Sequence, residues 1–268
     1  MTKKKKISVT TLWQKTIWAL AMVGVAVLVW FSVKTQMSRP LEKLNLHIEN
    51  IEGSRNLISK EVAHQHIEDF LGAPVEEIEF QNINSRKLEQ ALKSDSRIDD
   101  AEVYIDGNHV LHINITQREP ILRVKADHGE DYYLDKRGNL IKTVKNTAVR
   151  VPIATGAISE YSADWKNKKG HSLHDLVLLA NELKKDDFLK ALIEQIDVDK
   201  KGIITLIPKV GKQKLILGTT DKLKYKLQNI KGTYKTVVRT KGFEKYDSLI
   251  FEISNQLRAV ESSPKEVS

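Results

Sequence analysis

Three kinds of hydrophobic pattern succeed one another along the chain, and their order divides it. The first is an unbroken run. Ile17 to Val33 (IWALAMVGVAVLVWFSV) carries one hydroxyl and no charge. As a helix it rises roughly 25 Å at about 1.5 Å per residue. With Leu12, Trp13 and Thr16 added it is long enough for a hydrocarbon core of about 30 Å. Lipid offers the backbone no hydrogen-bond partner, so the run predicts a continuous membrane helix over residues 17–34. Trp13, Trp18 and Trp30 lie towards its ends, where indoles favour the interface.

The second pattern is strict alternation. In LNLHIENI, Leu44, Leu46 and Ile48 point one way and Asn45, His47 and Glu49 the other, which predicts a half-buried strand. Ala101, Val103 and Ile105 alternate likewise. Asp106, Gly107 and Asn108 supply a turn, and Leu111, Ile113 and Ile115 form the return strand. The third pattern has helical spacing. Val62, Ala63, His66, Ile67 and Phe70 share a face behind Ser59 as N-cap, and Gly72 and Pro74 end that helix. A second helix starts near Asn84 or Ser85 and carries Leu88, Ala91 and Leu92. The order is strand, helix, helix, strand, strand, closing at ITQREP. Pro120 cannot donate to a ladder, so it suits the edge or end of a strand, and its fixed φ aims the chain out of this first domain.

Charge sharpens the division. Residues 1–16 hold Lys3, Lys4, Lys5, Lys6 and Lys15 with no acid, so the positive-inside rule retains them in the cytoplasm and exports the chain beyond the helix. Trp-Phe-Ser-Val-Lys after the apolar run offers no small-x-small cleavage site, which favours an uncleaved anchor over a removed signal peptide. Between Lys43 and Glu119 there are 8 basic and 15 acidic residues; between Pro120 and Ser268 there are 28 and 19. Neighbouring segments of opposite sign read as two domains. The expected boundaries are a cytoplasmic tail 1–16, the helix 17–34, a linker 35–43, a first domain 44–119, a second 120–260 and a polar tail 261–268. The fold class is α+β.

This β-α-α-β-β unit behind an anchor resembles a POTRA domain. The phrase INITQREPILRV resembles the strand end and Glu-Pro joint of the bacterial cell-division family FtsQ/DivIB. The likeness continues through a Gly-containing hairpin (YYLDKRGNLIKT), a Pro-led strand to a Gly (VPIATG), a helix (HDLVLLANELKK), two strands (ITLIPK and KLILG), a second helix and a final strand pair. The resemblance implies a mixed α/β domain with an extended sheet. It also implies a single-pass inner-membrane protein with its bulk in the periplasm, at the division septum.

Candidate chemistry is sparse. The chain has no cysteine, which excludes disulfides, cysteine zinc sites and thiol nucleophiles. Among His64, His66, His109, His112, His171 and His174 no two stand at i, i+4 with a carboxylate beside them, the arrangement used by helical zinc sites. Asp197 and Asp199 read as a strand turn, not a cation loop. Ser159, Ser162 and Ser172 stand in no nucleophile-elbow context, and no Gly-rich phosphate loop is present. The reading is therefore of a non-enzymatic protein with no catalytic residue, cofactor, metal, nucleic acid or small-molecule substrate. Two competitors are a membrane-anchored POTRA protein of export or outer-membrane biogenesis, and an anchored periplasmic cell-wall enzyme.

Binding is better supported. In SLIFEISNQLRAV, Leu249, Phe251 and Ile253 alternate with Ile250, Glu252 and Ser254, so one face can enter a core while the backbone closes a sheet edge. The resemblance implies that Leu249, Ile250, Phe251, Glu252, Ile253, Ser254, Asn255, Gln256 and Leu257 bind an FtsB/FtsL-type coiled-coil pair by strand addition, with Glu252 and Ile253 foremost. Separately, Lys200 to Lys245 holds 13 basic and 2 acidic residues. Lys222, Lys224 and Lys226 are candidates there for contact with an acidic partner or lipid head groups.

Overall fold

The computed structural model describes residues 9–37, 40–51, 56–127, 131–143, 149–238, 246–252 and 258–261. It opens with α1 (Val9–Met37), within which Ile17–Thr35 is long and apolar enough to cross a membrane, and every described side chain of that stretch is exposed. The chain divides into two compact units. One comprises Met1–Ile48, Lys60–Ser94 and Ala101–Ile115; the other comprises Glu49–Ser59, Asp95–Asp100 and Thr116–Ser268.

The smaller unit carries β1 (Lys43–Ile48), α2 (Lys60–Leu71), α3 (Ser85–Lys93), β2 (Ile98–Ile105) and β3 (Val110–Gln117), the last two strands running on into the larger unit. Its sheet runs β1-β3-β2, with β1 parallel to β3 from Lys43 opposite Val110 to Ile48 opposite Ile115. Alternation buries Leu111, Ile113 and Ile115 completely. Asn84 caps α3, its side chain accepting from Lys87 N at 3.0 Å. The buried stripe of α2 is narrower than its spacing predicts. Ala63 and Ile67 are buried, while Val62 and Phe70 remain 38% and 42% exposed. The β2–β3 turn closes on Asp106, whose carboxylate accepts from Asn108 N, Val110 N and His112 Nε2. The His112 bond, then that from Val110, hold its pKa below the ordinary value.

Among the described residues the larger unit carries a nine-stranded sheet. Its strands are β4 (Pro120–Ala126), β5 (Tyr132–Asp135), β6 (Leu140–Lys142), β7 (Ile153–Gly156), β8 (Ile193–Val198), β9 (Ile204–Pro208), β10 (Lys214–Gly218), β11 (Tyr246–Ile250) and β12 (Arg258–Glu261). They are ordered β12-β11-β10-β9-β8-β7-β4-β5-β6. Strand β7 is parallel to both neighbours, β4 and β8, and β10 is parallel to β11. Parallel neighbours need crossovers. Helices α4 (Ser172–Lys184) and α5 (Asp187–Leu192) connect β7 to β8, and α6 (Leu223–Thr233) connects β10 to β11. Their apolar stripes, including Leu176, Leu183, Leu227 and Ile230, join Leu122, Ile196, Leu206 and Leu215 in one core.

The joint ITQREP is packed polar structure. Gln117 is 6% exposed; its Oε1 accepts from Leu57 N (2.7 Å) and Ile58 N (3.0 Å), and its Nε2 donates to Glu49 O. Arg118 donates to Ser96 O, Ile98 O and the Asp135 carboxylate. Pro120 opens β4 opposite Asp135. Residues 49–59 and 95–100 thus contribute to the larger unit, and Ile51 and Leu57 share a cluster with Tyr133, Ile141 and Val149.

Candidate partner-binding edge

The sheet ends on the segment that the alternation singled out, with the edge one strand later than expected. Leu249 is fully buried and Phe251 is 2% exposed, so this side of β11 is anchored in the core. The backbone lies parallel to β10, with Leu215 opposite Leu249 and Ile216 opposite Ile250, and Phe251 N donates to Ile216 O at 2.8 Å. Regular pairing stops there. The strand ends at Ile250, and the chain returns as β12, antiparallel to β11 with Ala259 opposite Leu249 and Arg258 opposite Ile250.

The reading of Leu249–Leu257 as the closing edge is therefore corrected for its first two residues. Leu249 and Ile250 lie one strand in, because β12 covers them, and among the described residues the outermost strand is Arg258–Glu261. All four of its residues are exposed, Val260 at 48%. Glu252 is exposed just beyond β11. Ile253, Ser254, Asn255, Gln256 and Leu257 fall outside the described residues.

Gly218, the last residue of β10, has φ +74°, and a Cβ there would meet Glu252 Cγ at 3.0 Å. The carbonyls around it are tied from below by Lys226. That ammonium donates to Leu217 O and Thr219 O, both at 2.9 Å, and the residue is 3% exposed. Burial lowers its pKa, while Asp221 and Glu252 oppose the shift. Of the three lysines expected to form a contact patch, Lys226 is thus a strut inside the fold, and Lys222 and Lys224 are on the surface. The spacing put all three within a turn and a half of α6; nothing in it revealed that the last of them faces β10.

Other polar candidates have local duties. His171 caps α4, accepting from Leu173 N, and its Nε2 lies 3.1 Å from Glu160 O. Asp199 closes the β8–β9 turn by accepting from Lys201 N and Ile203 N, and Asp197 accepts from the Thr155 hydroxyl. Among the described residues no three His, Asp or Glu converge as a metal set would require. The arrangement at the edge offers backbone hydrogen bonds and a small exposed strand, which is recognition chemistry.

Comparison with known families covers both folded units. A family model described as FtsQ/DivIB, C-terminal related matches residues 119–259, more than half of the chain and nearly all of the nine-stranded sheet. A model of the POTRA-like domain matches residues 42–116. No curated protein matches the chain.

Proposed function

The chain belongs to the FtsQ/DivIB family, and on that premise we propose that it holds its partners by strand addition at β12. It is a single-pass membrane protein of the division site with a role in cell division, and division proteins are its partners. The finer reading is that the amino-terminal lysines stay in the cytoplasm, both folded units are exported, and the edge captures an FtsB/FtsL-type coiled-coil pair that supports septal wall synthesis. The protein acts by affinity and geometry, with no bond made or broken.

The observation that carries this reading is the outermost position of β12 with all four residues exposed. The edge strand of a sheet is a template for another chain. Between the charged Arg258 and Glu261, Val260 presents an exposed apolar side chain that a partner strand can cover.

Proline scanning tests it. Along an antiparallel strand, successive N–H groups point alternately to either side. Of Ala259→Pro and Val260→Pro, one removes a donor offered outwards and the other a donor to β11. Co-purification of the coiled-coil pair with the detergent-solubilised chain should be lost in the outward variant while its melting temperature is kept. Full recovery of the pair with both variants would reject strand addition.

A further inference from the structure

Strand β7 begins later than the strands on either side of it. Its first residue, Ile153, pairs with Arg123 and Gln195, whereas β4 starts at Pro120 and β8 at Ile193. The three run parallel, so the missing length leaves a notch between β4 and β8 at one end of the sheet. A cavity of about 400 Å³ opens there, lined wholly by residues of the larger unit. That volume is in the range of ligand sites.

The floor is apolar, with Ile121, Leu183 and Ile193 buried and Val151 and Ile153 half-buried. The charged lining is unbalanced. Lys184 is paired with Glu119, which leaves Arg150, Lys190 and Lys209 against Glu194 alone. Those three cations are exposed and make no ion pair among the described residues. Beside Lys209, Val210 is 50% exposed.

We propose that this notch binds an acidic peptide segment of a division partner, seating one bulky apolar side chain on the floor and its flanking carboxylates on Arg150, Lys190 and Lys209. A leucyl or aromatic side chain suits the volume, whereas a two-chain lipid exceeds it. Surplus positive charge around an apolar floor favours acidic over basic or neutral segments, since like charges across an interface repel and opposite charges steer the encounter. The site is distinct from the β12 edge, from which β10 and β11 separate β9 in the sheet. It rests on the family's role in division and not on strand addition.

The test is photo-crosslinking of the full chain in its own membranes, with p-benzoylphenylalanine in place of Glu194, an exposed residue of the lining. The adduct is digested and the attached segment sequenced. The expected product is a peptide with excess Asp and Glu around a large apolar residue. Its yield should fall at least fivefold when Lys190→Glu and Lys209→Glu are combined, and should also fall in high salt. Both lysines are on the surface, so the variant's melting curve should match the parent's. Ala259→Pro or Val260→Pro should leave the yield unchanged, which separates failure here from failure at β12. Adducts only with lipid, with a second copy of this chain or with a basic or neutral segment would overturn the proposal. So would no adduct, or a yield indifferent to charge reversal.

Discussion

Asp135 is 2% exposed, yet it is ionised. Burial raises its pKa, but bonds from Asn139 N, the Arg118 guanidinium, the Asn139 amide and Arg137 N together outweigh burial and hold it below the ordinary value. Its contribution to stability is therefore complete above the ordinary carboxylate range, about 3.9, and is lost as pH falls through the lower folded value. Replacing Asp135→Asn leaves the half-buried Arg118 with Asp99, 3.4 Å away, as its remaining carboxylate partner and should cost about 2 kcal/mol at pH 7. The deficit should shrink below about pH 4, which urea titrations at both pH values would measure. Lys226 makes a second case. Lys226→Ala strips Leu217 O and Thr219 O of their donor and should cost about 2 kcal/mol, whereas Lys222→Glu and Lys224→Glu should leave the thermal midpoint unmoved. Gln117, Arg118 and Lys226 share one reason for escaping a sequence reading. Each is polar and long, and polarity announces solvent unless its partners, far away in sequence, are known. A weak clue was present, since Gln117 occupies an inward position of the alternation that buries Ile113 and Ile115.

At the scale of elements, the periodic segments were legible. The alternation of 44–48, 101–105 and 111–115 became β1, β2 and β3, and HDLVLLANELKK became α4. Helix α5 was not foreseen, because six residues span less than two turns and give no period to detect. Its signal lay in Asp186, which caps it by accepting from Phe188 N and Leu189 N. The resemblance implied the final strand pair that β11 and β12 form, but alternation alone did not mark where SLIFEISNQLRAV divides, because it continues through Ile253. Glycine carried more information than its single letter. Gly156 ends β7 at φ +94°, and a Cβ there would lie 2.2 Å from Val198 O. Both the backbone conformation and the close approach forbid a side chain, so Gly156→Ala should cost about 3 kcal/mol. Calorimetry of residues 40–268 would show a lowered midpoint; an unchanged one would mean that β7 and β8 can separate without penalty.

For the whole molecule, the arrangement of one anchor and two folded units makes topology the central expectation. Protease added to spheroplasts should digest everything beyond α1, and a tag placed before Val9 should survive until the membrane is opened. Protection of the carboxyl-terminal bulk would reverse the orientation. Charge predicts a second behaviour at this scale. The excess of basic over acidic residues beyond Pro120 makes contact with acidic partners sensitive to ionic strength, so recovery of partners should decline between low and physiological salt if steering by charge matters.

The cluster of Ile51 and Leu57 with Tyr133, Ile141 and Val149 bears on how the protein can be cut. Family boundaries invite a scissor at residue 119, and such a piece would leave Tyr133 and Ile141 facing water and deprive Asp135 of Arg118. A fragment 119–268 should then express poorly and precipitate, while 40–268 should remain monodisperse under gel filtration. Evolution's module and the folding module end at different places in this chain, and the second reaches back some seventy residues, from Glu119 to Glu49.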